Sequence, residues 1–143
     1  MLDKARQNSG EATDTCWVRL MDFLREAGLD PQNCFFTNAL MGIKAGSAAG
    51  DMPHDPDYRK ECEQYLIKQI EIVHPSRIVS LGNASRLLCG KVYKQSGLKT
   101  EMINIMHPSA RPVNWGGAYE EWVRKQAERI GESILITPPP KPA

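Results

Sequence analysis

Paired cysteines, long apolar runs and an excess of either charge are all missing from this chain of 143 residues. The four cysteines, Cys16, Cys34, Cys62 and Cys89, are widely and unevenly spaced, with no C-x-x-C pair among them. That spacing argues against a zinc site or a disulfide framework and reads as reduced, buried thiols in a cytoplasmic protein. Lys and Arg number 18 against 17 Asp and Glu, a net charge of +1. There is no broad field for a polyanion, so any nucleic-acid contact has to come from a local patch. The longest apolar runs are far too short to span a bilayer. Residues 1–8 lack the apolar core of a signal peptide, so no membrane partner is expected. The length is that of one domain, enough to bury a core.

Residues 1–12 are polar and aperiodic and read as a flexible leader. Thr13 or Asp14 can cap a helix whose apolar positions are Trp17, Val18, Leu20, Met21 and Leu24, ended by Gly28 with Pro31 beyond. Residues 34–37 read as a short buried strand. A long loop, 42–54, follows, holding Gly42, Gly46, Gly50 and Pro53; loops of that length in a compact domain are often functional. Asp55-Pro56 starts a second helix, with an apolar face of Tyr58, Cys62, Tyr65, Leu66, Ile70 and Val73, closing at His74-Pro75. Residues 77–81 form a strand, Gly82-Asn83-Ala84-Ser85 opens a short helix through Cys89, and Gly97 marks a turn. A strand over 101–106, a loop over 107–117 and an amphipathic helix (Tyr119, Trp122, Val123, Ala127, Ile130) complete the pattern. The domain spans 13–136, and the Pro-rich tail, 137–143, is extended and solvated. This order predicts an α/β fold, a three-layer α/β/α sandwich with a short, mostly parallel central sheet.

Two apolar runs stop abruptly at a polar side chain. Phe35-Phe36 delivers Asn38, and residues 102–106 deliver His107. In a parallel sheet the carboxyl ends of the strands line the ligand crevice, where an amide can read a nucleobase edge and an imidazole can stabilise a developing anion. Gly82-Asn83-Ala84-Ser85 is a strand-to-helix turn of the kind that aims backbone N–H groups at a phosphate. Each has a plainer reading: a turn-forming Asn, a hydrogen-bonded structural His, a Gly turn with an Asn cap. The three at successive strand ends carry the functional argument together.

In order and spacing, residues 35–42 (Phe-Phe-Thr-Asn-Ala-Leu-Met-Gly), Cys62-x-x-x-Leu66-x-x-Gln69-Ile70, Val79-Ser80-Leu81-Gly82-Asn83-Ala84 and His107-Pro108-Ser109 resemble the uracil-DNA glycosylase superfamily over about residues 13–130. The resemblance implies excision of uracil from DNA by hydrolysis of the N-glycosidic bond, with the base flipped out of the helix and no cofactor or metal. Asn38 matches the residue that reads the uracil edge, with Thr37 and Gly42 beside it in the base-binding segment. His107 matches the residue that hydrogen-bonds O2 as charge builds on the leaving base. Pro108, Ser109 and Arg111 match the loop that probes the minor groove, and Gly82, Asn83 and Ser85 match the phosphate-gripping turn.

Two departures stand out. The iron–sulfur branch of the family carries a Cys where this chain has Gly42, and its N-terminal cysteines are not matched. Cys62 alone cannot hold a four-thiolate cluster and reads as a buried helix residue. The family also begins with a strand and a glycine-rich turn whose Asp or Glu positions the attacking water. Gly10-Glu11-Ala12 follows polar residues 3–9, which cannot form a buried strand. The first strand is therefore expected to be missing: its neighbours re-pair, another chain supplies a strand, or the chain is a truncated derivative of a longer protein. Two further readings stay open: a non-catalytic DNA-binding or assembly module on this fold, and an α/β domain that binds a nucleotide or phosphate through Gly82–Ser85.

Overall fold

The computed structural model describes residues 16–41, 55–97 and 99–131. The leader, the tail, Gly10-Glu11-Ala12, Gly42 and the rest of the 42–54 loop lie outside the described residues. In chain order the elements are α1 (Cys16–Glu26), a 3-10 turn (Pro31–Asn33), α2 (Pro56–Val73), β1 (Arg77–Leu81), α3 (Gly82–Ser96), β2 (Glu101–Ile105), a second 3-10 turn (Pro112–Asn114) and α4 (Tyr119–Gly131). Among the described residues this is a small α/β fold of four helices and one two-stranded parallel sheet. No described helix is long and apolar enough to cross a membrane. The chain divides into two compact units, Cys34–Ile105 and the segments on either side of it.

The Cys34–Ile105 unit is built on α2, α3 and the sheet. Asp55 caps α2 by accepting the N–H groups of Asp57 (2.9 Å) and Tyr58 (3.3 Å), with Pro56 in the first turn, where no N–H is needed. His74 closes the helix in the left-handed region (φ 48°), its N–H donating to Ile70. The buried positions Cys62, Leu66 and Ile70 recur every four residues, and meet Leu88 and Val92 of α3 in one core. Lys91 reaches across to the buried Glu63 carboxylate (2.6 Å), giving that charge a partner. β1 and β2 pair in parallel from Arg77↔Glu101 to Leu81↔Ile105. The register is closed at its start by an Arg77–Glu101 ion pair (3.1 Å) and inside by the buried Ser80 hydroxyl, which donates to Asn104.

Two expectations are corrected here. Residues 34–37 form no strand, and the two phenylalanines stand out in solvent, Phe35 at 58% and Phe36 at 39%. A segment becomes a strand only with a hydrogen-bonded neighbour, and β1 is paired on β2 rather than on this segment. The helix after Gly82 does not stop near Cys89 but runs to Ser96, where Gly97 (φ 63°) ends it. Gly90 resembles a breaker in the sequence, yet a mid-helix glycine costs only about 1 kcal/mol, and buried Leu88 and Val92 on either side hold the helix through it.

The other unit packs α1 against α4. Leu20, Phe23 and Leu24 are the buried face of α1, whereas Trp17 is 55% exposed and lies off that face. Gly28 (φ 70°) ends the helix as expected: its N–H donates to Arg25, and that of Leu29 reaches back to Leu24. Those paired bonds satisfy carbonyls that the last turn would otherwise leave open. From α4, Trp122, Val123, Ala127 and Ile130 face inward. Trp122 takes Phe23 edge-on (4.9 Å between centroids, 78°) and stacks on Trp115 (4.9 Å, 14°).

Candidate functional site

The loop that starts at His107 is a run of short turns. Ala110 N–H donates to the His107 carbonyl (2.9 Å), Asn114 to Arg111 (2.8 Å) and Trp115 to Pro112 (3.1 Å). Pro108 is fully buried, while His107, Ser109 and Arg111 are exposed. Just before the loop, Met106 ends the strand: its N–H donates to the side-chain oxygen of buried Gln126 (2.8 Å), and its sulfur accepts Trp122 Nε1–H (3.3 Å). Sequence reasoning missed Gln126, a polar residue on an apolar helix face.

The imidazole of His107 is oriented from within the loop. Its Nδ1 accepts the backbone N–H of Ser109 (3.1 Å) and lies 2.6 Å from the Ser109 hydroxyl. A protonated Nδ1 would oppose that backbone N–H, so the neutral ring carries its hydrogen on Nε2, pointing away from the loop. Desolvation by partial burial lowers the His107 pKa from its ordinary value and favours this neutral form. The outcome is an exposed, oriented, uncharged donor.

In the Cys34–Ile105 unit, Asn38 is exposed on the segment that precedes the 42–54 loop. The segment is held to α2 by side chains: Thr37 Oγ1 donates to Gln69 Oε1 (2.9 Å), Met41 N–H to Cys62 Sγ (3.4 Å), and the Tyr58 hydroxyl to the Met41 carbonyl. Ala39, Leu40 and Met41 pack on the apolar core behind it. Cys62 is 2% exposed, a buried helix thiol as its sequence context suggests. Among the described residues no group of three or more His, Cys, Asp or Glu side chains could hold a metal ion.

At the end of β1, Gly82 (φ 81°) lets the strand turn directly into α3. Leu81 at the cap position supplies no side-chain acceptor to the first-turn N–H groups. Asn83 Oδ1 is engaged by the Arg86 guanidinium (2.7 and 3.1 Å), and the Ser85 hydroxyl donates back to the carbonyls of Leu81 and Gly82. An anion here would meet backbone N–H groups and a nearby guanidinium rather than these two side chains.

These elements define a small α/β domain whose polar side chains sit in the segments beyond its strands. Over residues 9–131 the chain matches the family model of the Uracil DNA glycosylase superfamily, and it belongs to that superfamily. The match reaches back beyond residue 13 to take in Gly10-Glu11-Ala12. No curated protein and no solved structure matches the chain.

Proposed function

We propose that this uracil-DNA glycosylase-like domain hydrolyses the N-glycosidic bond of uracil, or a related base, in DNA. The observation that carries the reading is the Ser109 N–H bond to His107 Nδ1 (3.1 Å), which leaves Nε2 as the hydrogen-bearing nitrogen of the neutral ring. As C1′–N1 breaks, negative charge spreads to O2 of the departing base, and a preorganised donor aimed there lowers the barrier. A neutral imidazole suits the task because protonation would break the Nδ1 contact that orients it. Asn38 reads the base: its amide oxygen accepts N3–H and its NH2 donates to O4, a pattern that cytosine reverses. Thr37 and Gly42 belong to the same base-binding stretch of sequence. Gly82, Asn83 and Ser85 supply the backbone turn for a phosphate, and Pro108, Ser109 and Arg111 meet the minor groove and backbone. The domain acts in the cytoplasm on flipped-out bases.

We also propose that a strand from another chain completes the sheet. The two-stranded sheet among the described residues supports that reading, since a two-stranded sheet is marginal alone.

The test is release of free uracil from a uracil-containing oligonucleotide under single-turnover conditions. Release is expected, with His107→Ala slowing it by about 100- to 1,000-fold and Asn38→Ala also slowing it. Unchanged rates in both variants would remove their assigned roles. Salt-sensitive DNA binding without release would favour a binding module, and stabilisation by free nucleotide but not DNA a nucleotide-binding domain. Wild-type release by Glu11→Gln would exclude that carboxylate as the water-positioning group.

A further inference from the structure

The loop that carries His107 is gripped from outside by one arginine. Arg19, half-buried on α1, donates from Nη1 to the carbonyl oxygens of Pro108 (3.0 Å) and Ala110 (3.2 Å). Its guanidinium also lies over the Trp115 ring, 5.1 Å from the centroid. Trp115 Nε1–H in turn donates to the same Ala110 carbonyl (2.9 Å), and its ring stacks on the buried Trp122. Two donors therefore converge on Ala110, and a third bond holds Pro108, on either side of Ser109. Ser109 is the residue whose N–H orients His107. Cation–π attraction and charge-assisted bonds to two carbonyls are both favourable, so together they hold residues 108–110 firmly.

We infer that Arg19 is a positioning residue for His107, acting through the backbone of residues 108–110 and not by contact with DNA. The inference rests on the proposed glycosylase reading for its kinetic consequence. Its structural content, that Arg19 sets the geometry around the His107 ring, stands apart from activity. The planar guanidinium matters as well as the charge, because a lysine ammonium can bond the carbonyls but cannot lie flat on Trp115.

Arg19→Ala and Arg19→Lys are compared with wild type in single-turnover uracil release, DNA affinity and ring-nitrogen NMR of His107. Leu24→Ala, which removes buried packing from the same helix, serves as the control for general destabilisation. Arg19→Ala is expected to slow release by about 10- to 100-fold, as a small misplacement does, with DNA affinity changed less than about 3-fold. In that variant the His107 ring nitrogens should average between the two tautomers, Arg19→Lys should recover part of the rate, and Leu24→Ala should keep the Nε2–H signature. A loss confined to DNA affinity would make Arg19 a phosphate contact and overturn the inference. So would an unchanged rate and an unchanged ring signature in Arg19→Ala. If the wild-type protein releases no uracil, the glycosylase reading fails, while the ring signature still decides whether Arg19 positions His107.

Discussion

The segments carrying His107 and Asn38 follow apolar runs of similar character, yet they are held in opposite ways. The His107 loop is fixed mainly through its backbone, by three internal turn bonds and by donors from Arg19 and Trp115. The Asn38 segment is tied to α2 at two points on either side of Asn38, by the Thr37 hydroxyl on Gln69 and by the Met41 backbone on Cys62 and Tyr58, with Phe35 and Phe36 exposed beside it. Closely spaced bonds within a loop constrain each residue between them, whereas ties at two separate points leave the residues between more freedom. A donor that must meet charge as it develops needs the first kind of support. A group that reads the edge of an arriving base tolerates the second.

The largest effect that tests this contrast comes from Trp122. Trp122→Ala removes the ring on which Trp115 stacks and should cost about 3–5 kcal/mol in urea unfolding. Backbone hydrogen exchange at Ala110, Asn114 and Trp115 should rise with it; unchanged exchange there would mean that the loop does not depend on the aromatic stack.

A smaller effect is expected from Ser109→Ala, which removes the hydroxyl beside Nδ1 but keeps the backbone N–H. Because the His107 pKa is lowered in the fold, folding favours the neutral ring. Its contribution to stability is present above the ordinary histidine pKa and is lost as pH falls through that range toward the folded value. With one donor to Nδ1 removed, the His107 pKa should rise toward its ordinary value in an NMR titration, and the acid-side loss should flatten. A pKa that stays put or falls would remove the hydroxyl from the orienting pair. The smallest effect is expected from Thr37→Val, which should change unfolding by less than about 0.5 kcal/mol, as surface changes do, while speeding amide exchange at Asn38. A large loss of stability there would erase the contrast.

What could be read from the sequence was what local chemistry decides. Asp55-Pro56 and Gly28 mark helix ends because capping and positive φ are settled within a few residues. The four-residue recurrence of Cys62, Leu66 and Ile70 reports a helix face by itself. Residues 34–37 mislead because strand character belongs to a pair of segments. Phe23, the most buried side chain of α1, and exposed Trp17 both lie within the helical spacing, and only packing separates them. His107 was visible as a polar stop after an apolar run. Arg19 was not, because its role depends on contacts 89 and 91 residues away.

The bond between Met106 and Gln126 has a consequence for how His107 is presented. Met106 is the last residue before the loop, and its N–H is taken by an amide 20 residues further along the chain. Its sulfur accepts from Trp122 of the same helix, and Trp122 also stacks on Trp115 at the far side of the loop. One helix therefore ties down both ends of the segment that carries the imidazole. Loosening that helix would free the loop at both ends at once.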